Sequence, residues 1–365
     1  MSQEQKNRKM VADIHHRDNH HKKQDLKNMT LDEIESFISG LGKEKYRAKQ
    51  IMKWLYRFGT TSFDEMTNLS KVFRAEIKSI ARISSLSIED IQKSVDGTKK
   101  ILFRLEDGNC IESVLIREKN HWTLCVSTQV GCQMACRFCL TGKQGFKRNL
   151  LPSEIADQLT ISRFKTPEGN DIKNIVMMGM GEPLANYENT VKAIKIITND
   201  AGMGFSKRKI TVSTCGIAPM IERLGTDTSV NLAVSLNAPD NDTRGYLMPI
   251  NRLYSIERLI EACKSFPMPR RRRITFEYIL IDGINDSDED AERLANLMNG
   301  VKCKFNLIPF NEFPGSEFKT PSDKRIDAFR KILIKHKYTA VTRSSKGRDI
   351  LAACGQLRGE KEKMQ

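Results

Sequence analysis

Cys132, Cys136 and Cys139 stand in a C-x3-C-x2-C array within the stretch Thr123–Arg148. That spacing lets one tight loop aim three thiolates at a single inorganic centre. Two kinds of centre compete. A structural zinc site wants a fourth Cys or His close by, usually as part of a second short pair, and none follows on the C-terminal side. A four-iron cluster held by three cysteines leaves one iron open to a ligand, and Phe138, just before the last cysteine, suits such a loop. A disulfide is the poorest reading, because an enzyme-sized chain whose start lacks an apolar signal core belongs in a reducing compartment. Cys125 lies upstream of the array and outside its spacing.

Three further groups have types suited to chemistry. Gly179-Met180-Gly181-Glu182-Pro183 closes an apolar run. Its glycines admit a close backbone approach and its isolated carboxylate can hold a cationic amine, although a plain β-turn is the simpler reading without the cysteine loop. Ser213-Thr214 and Ser235-Leu236-Asn237 end later runs with small polar groups, able to hold ribose or amino-acid oxygens or merely to cap turns. Cys354 sits between Ala353 and Gly355, shortly after Lys346 and Arg348. A thiolate gains reactivity in an accessible, electropositive setting, and a buried structural cysteine is the alternative. Cys110, Cys215, Cys263 and Cys303 have apolar neighbours and read as core, while Glu112 reads as a solvated face residue of a strand.

These residues need a scaffold, and the pattern supplies one. From Trp122 onward, strand-like runs at Leu124–Thr128, Ile175–Met178, Ile210–Thr214, Asn231–Ser235, Ile274–Leu280 and Phe305–Ile308 alternate with helical stretches at Ser153–Phe164, Tyr187–Thr198, Ala218–Leu224, Ser255–Phe266 and Asp288–Met298. Repeated strand–helix units demand parallel strands and right-handed crossovers. Six units predict an α/β fold with a partial (βα)6 barrel over residues 122–358 and chemistry at the C-terminal strand ends. A doubly wound sheet is the alternative, but its glycine-rich dinucleotide turn is missing. Residues 94–121 predict a β-hairpin linker around Asp107-Gly108-Asn109. Residues 29–93 predict a small helical module, begun by a cap at Thr30 and continued through Lys45–Phe58 and Val72–Ile80, with Trp54, Tyr56 and Phe58 in its core. Residues 1–28, with His15, His16, His20 and His21, predict a disordered basic tail, and residues 359–365 a disordered C-terminal one.

The 365 residues are 39% hydrophobic, enough for one large domain and a smaller module. No apolar run is long enough to span a membrane, so the expectation is a soluble, cytoplasmic protein. Sixty Lys and Arg against 45 Asp and Glu leave a net charge of +15. The excess gathers in Lys143-Lys147-Arg148, Lys207–Lys209, Arg270–Arg273 and Arg343-Lys346-Arg348, which predicts a polyanionic partner, nucleic acid first.

Taken together, KQGFKRNL after the cysteine array, MMGMGEPLAN, TVSTCGI, LAVSLNAP, FEYILIDGIND, NLIPFNEFPG and DILAACGQL resemble the radical-SAM RNA adenine C2-methyltransferases over residues 30–358. The resemblance implies a radical-SAM barrel, an N-terminal module of helix-hairpin-helix character that holds RNA, a monomer, and electrons from a flavodoxin-type donor. It implies methylation of adenine 2503 in 23S rRNA and adenine 37 in tRNA. Carried onto this sequence, Cys132, Cys136 and Cys139 would bind a [4Fe-4S] cluster, and Gly181, Glu182, Ser213, Ser235, Leu236, Asn237 and Asn311 would contact S-adenosyl-L-methionine, two molecules of which serve each turnover. Cys354 would carry the methyl group, Cys125 would release the protein–RNA adduct by forming a disulfide, and Glu112 would be the proton acceptor. Asn237 departs from the His usual in the family, which removes a group able to titrate near neutrality but keeps a hydrogen-bonding one. Pro183 and the NEFPG run favour C2 over the related C8 enzymes. A non-catalytic iron-sulfur RNA-binding protein would explain charge and cluster, but would need neither Cys354 nor Glu182.

Overall fold

The computed structural model describes residues 23–269 and 271–359 and separates into two units, one ending at Ser84 and one beginning at Ser85. His15, His16, His20, His21, Arg270 and residues 360–365 lie outside the described residues.

In the first unit, β1 (Gln24–Asp25) precedes helices α1 (Leu31–Gly40), α2 (Tyr46–Met52) and α3 (Lys71–Ile80), and pairs in parallel with β2 (Ala81–Arg82). The cap read at Thr30 is a reciprocal one. Its backbone N–H donates to Glu33 at 2.7 Å, while its hydroxyl accepts the Glu33 N–H at 3.4 Å. Ile34, Ile38, Ile51, Leu55, Phe73 and Ile77 fill the space between the helices. The expected tail ends earlier than residue 28. Asp25, Leu26 and Lys27 are buried, and the Tyr56 hydroxyl donates to the Lys27 carbonyl at 2.8 Å. Of the three aromatic residues expected in this core only Tyr56 reaches it. Residues two apart on a helix face opposite ways and residues four apart share a face, so half-buried Trp54 and exposed Phe58 stand together, ring centroids 4.8 Å apart.

The second unit is built on one ten-stranded sheet. Its strands are β3 (Ser87–Lys93), β4 (Lys99–Arg104), β5 (Cys110–Arg117), β6 (Trp122–Cys125), β9 (Ile172–Met177), β10 (Ile210–Thr214), β11 (Asn231–Ser235), β12 (Ile274–Leu280), β13 (Cys303–Pro309) and β14 (Ala340–Thr342). Between β6 and β9, β7 (Gln129–Gly131) and β8 (Phe146–Asn149) form a separate antiparallel ribbon. From β6 to β14 every neighbouring pair in the large sheet is parallel. β3, β4 and β5 continue it as an antiparallel run joined to β6. The helices are α4 (Leu140–Lys143), α5 (Pro152–Lys165), α6 (Tyr187–Thr198), α7 (Ala218–Asp227), α8 (Asn241–Leu247), α9 (Ile256–Ser265), α10 (Asp288–Leu297) and α11 (Asp323–Lys335).

The six expected parallel strands are all present, and the sheet ends at β3 and β14 without joining them, so the barrel is partial. Two differences concern boundaries. The helical module stops at residue 84, because Ser87–Lys93 pairs with β4 as a sheet strand. The hairpin of β4 and β5 is part of the sheet rather than a linker, since β5 pairs with β6. β14, only three residues long, adds a seventh parallel strand.

Candidate active site

Parallel strands place all their C-terminal ends on one side, where loops can gather reactive groups. Cys125, Met177, Thr214, Ser235 and Ile308, each at or near such an end, border one cavity with Cys132, Cys136, Cys139, Gly181, Glu182, Ser213, Glu277, Asn311, Arg343 and Cys354.

The cysteine array is fastened from several directions. Cys132 donates its N–H to Gly145 O at 2.9 Å, and Cys139 to Cys136 O at 3.1 Å. Ala135, between the first two cysteines, has φ 52°, a left-handed conformation that a non-glycine residue holds at some cost. Gly131, at φ 73°, has no room for a Cβ against the Gly145 carbonyl. Burial pushes the Cys132 thiol up to about 12, and raises Cys136 and Cys139 too. Burial thus favours the protonated sulfurs, and a bound metal would supply the charge that favours their thiolates. Among the described residues no three His, Cys, Asp or Glu side chains converge tightly enough for one metal ion. The three cysteines instead border a shared space, which suits a cluster that gives each thiolate its own iron.

Beside them, Glu182 is buried and held by backbone: one oxygen accepts the Leu184 N–H at 2.9 Å, the other the Cys215 N–H at 2.7 Å. Burial raises its carboxyl and those two N–H groups oppose the rise. Gly181, at φ 98°, lies so close to Gln129 that a side chain would collide with it. Ser213 donates to Glu277 at 2.8 Å. Asn311 donates to the Cys354 carbonyl at 3.2 Å, and its own Oδ1 is buried with no partner. A cavity wall with an unused buried acceptor, a carboxylate and two serines fits a ligand bearing amine and hydroxyl donors.

Two expected contacts lie apart from this wall. Leu236 and Asn237 are fully buried but do not border the cavity. Asn237 accepts the Ile279 N–H at 2.8 Å and turns its amide to the Met248 sulfur at 3.2 Å. Its φ of 61° is a left-handed one that Asn adopts readily. Glu112 is buried rather than solvated. It pairs with Lys100 at 3.3 Å and accepts N–H groups of Arg358 and Gly359 at 2.7 and 3.1 Å, and it too is absent from the cavity wall.

Cys125 and Cys354 come together from opposite ends of the second unit. The β6 end is pinned by Gln158 of α5, which accepts the Ser127 N–H at 2.7 Å and donates to the Ser127 carbonyl at 2.9 Å. Burial first, then the neighbouring Cys354, push the Cys125 thiol up to about 12, while Arg343 pulls it down. Burial also raises Cys354, again against Arg343. Both are free thiols, so the expected disulfide is not present. Arg343 and Glu277 were not singled out in the sequence as members of the site. Arg343 was visible only as one member of a basic group.

Two of those basic groups stand away from the cavity. Lys207–Lys209 precede β10, and Arg271–Arg273 precede β12, so both sit at the N-terminal strand ends, opposite the cavity. Arg148, in a third group, is taken up by Asp107 at 2.6 Å and Glu154 at 2.8 Å.

Residues 24–83 match the ribosomal RNA large subunit methyltransferase N-terminal domain, and residues 126–295 the radical SAM superfamily. The dual-specificity RNA methyltransferase RlmN of Syntrophus aciditrophicus is 63% identical over 335 residues, 92% of this chain and 96% of that protein. That of Geobacter sulfurreducens is 52% identical over 336 residues, 92% of each. A solved radical SAM methyltransferase from Sphaerobacter thermophilus superposes with a TM-score of 0.87 at 45% identity, covering 92% of this chain and 100% of that one. Identity at this level across both units carries more than a shared barrel. The chain belongs to the RlmN family of dual-specificity RNA methyltransferases, radical SAM enzymes that use a [4Fe-4S] cluster and S-adenosylmethionine.

Proposed function

We propose that the chain methylates C2 of adenine 2503 in 23S rRNA and of adenine 37 in tRNA, through a methyl group carried on Cys354 and a transient protein–RNA adduct released by Cys125. The observation that carries this reading is that both thiols border the cavity of the cysteine array, although one ends β6 and the other follows β14. A cluster-bearing protein that only bound RNA would need neither.

Bound together, the cluster and two S-adenosylmethionine molecules per turnover supply the methyl group and a one-electron route to a carbon-centred radical. Cys132, Cys136 and Cys139 would hold the iron. Gly181 and Glu182 would meet the methionyl amine, and Ser213, Ser235 and Asn311 the remaining polar atoms. Leu236 and Asn237 would shape the wall from behind. Arg343 works against the burial that raises both thiols, which favours the Cys354 thiolate that uptake of a methyl group needs. Cys125, as a thiolate, would then attack the Cys354 sulfur and break its bond to the bridging carbon. The electron pair leaves with that carbon, which takes up a proton to become the methyl group, and the two sulfurs are joined only within turnover. Glu112 would hold the chain after Cys354 through Arg358 and Gly359. A part for it as proton acceptor requires that it first release those partners. The first unit, with Phe58 exposed beside half-buried Trp54 and Lys53 over the Phe58 ring at 5.4 Å, supports a role in gripping RNA. A flavodoxin-type protein would supply electrons.

Mass spectrometry of RNA treated with reconstituted enzyme tests the assignment. Methyl at C2 is expected with wild type, none with Cys354→Ala, and RNA trapped covalently on Cys354 with Cys125→Ala. Methyl at C8, or an untrapped Cys125→Ala enzyme that still turns over, refutes it.

A further inference from the structure

Arg244, on α8, is fully buried, and among the described residues it is the largest side chain to be so. Its guanidinium donates to the Leu236 carbonyl at 3.1 Å, to Asn251 at 2.9 Å, to the Cys215 carbonyl at 2.6 Å and to Ser235 O at 3.5 Å. Every one of these acceptors is neutral. The charged or ionisable groups that act on it are the thiols of Cys215, Cys136 and Cys263, which oppose the downward pull of burial on its pKa. A buried cation without an anion is strongly unfavourable, and natural proteins answer one with a counter-charge. Among the described residues no carboxylate is paired with it.

The same helix touches the cysteine array. The Arg137 N–H donates to Leu247 O at 3.0 Å, and the Met248 N–H to Arg244 O at 2.7 Å. Leu247, Met248 and Phe138 belong to one apolar cluster, and Cys136 and Cys139 pack against that cluster. Gly216, at φ 110°, keeps the space open, since a Cβ there would come within 3.0 Å of the guanidinium. Three cysteinates outweigh the positive charge of an oxidised four-iron core by one, and reduction adds one more negative charge.

We propose that Arg244 is the fixed counter-charge of the iron-sulfur cluster, a positioning residue that clamps the ends of β10 and β11 and makes the cluster easier to reduce. The guanidinium stays protonated in both oxidation states, so it favours the more negative one. Its hydrogen bonds meanwhile hold Ser235 and Cys215 where they border the cavity.

The inference rests on the cluster assignment above, and the experiment separates the two. The full chain, reconstituted anaerobically with iron and sulfide, is titrated with dithionite and mediator dyes while electron paramagnetic resonance follows the reduced cluster. Wild type without any reducible cluster refutes the cluster assignment. With the cluster present, Arg244→Met should show a reduced-to-oxidised ratio about tenfold lower at the wild-type midpoint, a negative shift of ~59 mV for a one-electron couple. Arg244→Lys, which keeps the charge but not the fork, should stay near wild type while binding S-adenosylmethionine more weakly. A midpoint unmoved in Arg244→Met, or moved equally in Arg244→Lys, overturns the inference. If Arg244→Met does not fold, Arg244→Gln, which retains amide donors to the strand ends, takes its place under the same criteria. As a second measurement, cluster loading should raise the melting temperature of wild type more than that of the neutral variant, and an equal rise counts against the inference.

Discussion

The Leu140 N–H donates to the Gly355 carbonyl at 2.7 Å. One residue adjoins Cys139 and the other adjoins Cys354, so the cysteine loop proposed to bind iron and the segment that carries Cys354 are a single hydrogen-bonded piece. Thr141 strengthens the join, its hydroxyl donating to Leu357 O at 2.6 Å.

Thr141→Val removes that second bond while keeping the side-chain shape. The loss should be about 1 kcal/mol, felt locally as a loosened segment. Alkylation of Cys354 by iodoacetamide in the cluster-free protein should then speed up several-fold, with Cys125 unchanged as internal control. Equal rates in variant and wild type would separate the two segments.

Cys136→Ala should leave a folded protein that is colourless and holds far less iron and sulfide after reconstitution. It should also fail to cleave S-adenosylmethionine reductively. A variant that keeps four irons and makes 5′-deoxyadenosine would sink the cysteine assignment.

Gly131→Ala forces a Cβ into the Gly145 carbonyl at a backbone conformation that L-residues avoid. A destabilisation of about 1–3 kcal/mol is expected, together with a low yield of cluster, because Cys132 follows directly. Chemical denaturation and iron analysis of the same preparation give both numbers.

Several buried thiols make the cluster-free protein sensitive to alkali. Cys125, Cys263 and Cys303 are each pushed up from 9.0 to about 12, burial being the first cause. In the unfolded chain they ionise near the ordinary value, so the native state binds more protons between those limits. Their contribution to stability is therefore complete below about pH 9 and is lost as pH rises through about 12. Cys263→Ala should flatten this alkaline slope in urea titrations taken between those limits.

RNA affinity should fall steeply with salt, with log K decreasing by several units per log unit if roughly four to six phosphates are engaged. Neutralising Lys207, Arg208 and Lys209 should change the slope little, because they stand at the strand ends away from the cavity. Filter binding of an adenine-containing stem-loop from ~50 to ~200 mM salt measures this. A large change of slope in that triple variant would place RNA on the far side of the barrel.

What the sequence disclosed follows from what is local. The cysteine spacing, the glycines of Gly179-Met180-Gly181 and the six parallel strands each write themselves into a few neighbouring residues. Arg343, Glu277 and Arg244 do not. Each matters because separate strands bring it to a partner far off in the chain, and in the sequence it is only one more charge among many. The basic groups show the reverse error. Lys207–Lys209 and Arg148 have the composition of an anion-binding surface, but one precedes its strand and the other is neutralised by Asp107 and Glu154. Glu112 was misjudged because alternation shows which residues share a face, not what later covers that face; here the cover is the chain around Arg358 and Gly359.

Cys125 closes a strand with a sheet neighbour on either side, antiparallel β5 and parallel β9, whereas Cys354 rides on an irregular segment with left-handed turns at Gly347, Leu351 and Gly355. The two sulfurs are therefore held by different means, one by the ladder of a sheet and the other by a folded loop fastened at Gly347, Cys354 and Gly355. If Cys125 releases the adduct as proposed, changes that reshape residues 347–355 should displace the sulfur under attack, and changes in β6 should misalign the sulfur that attacks it.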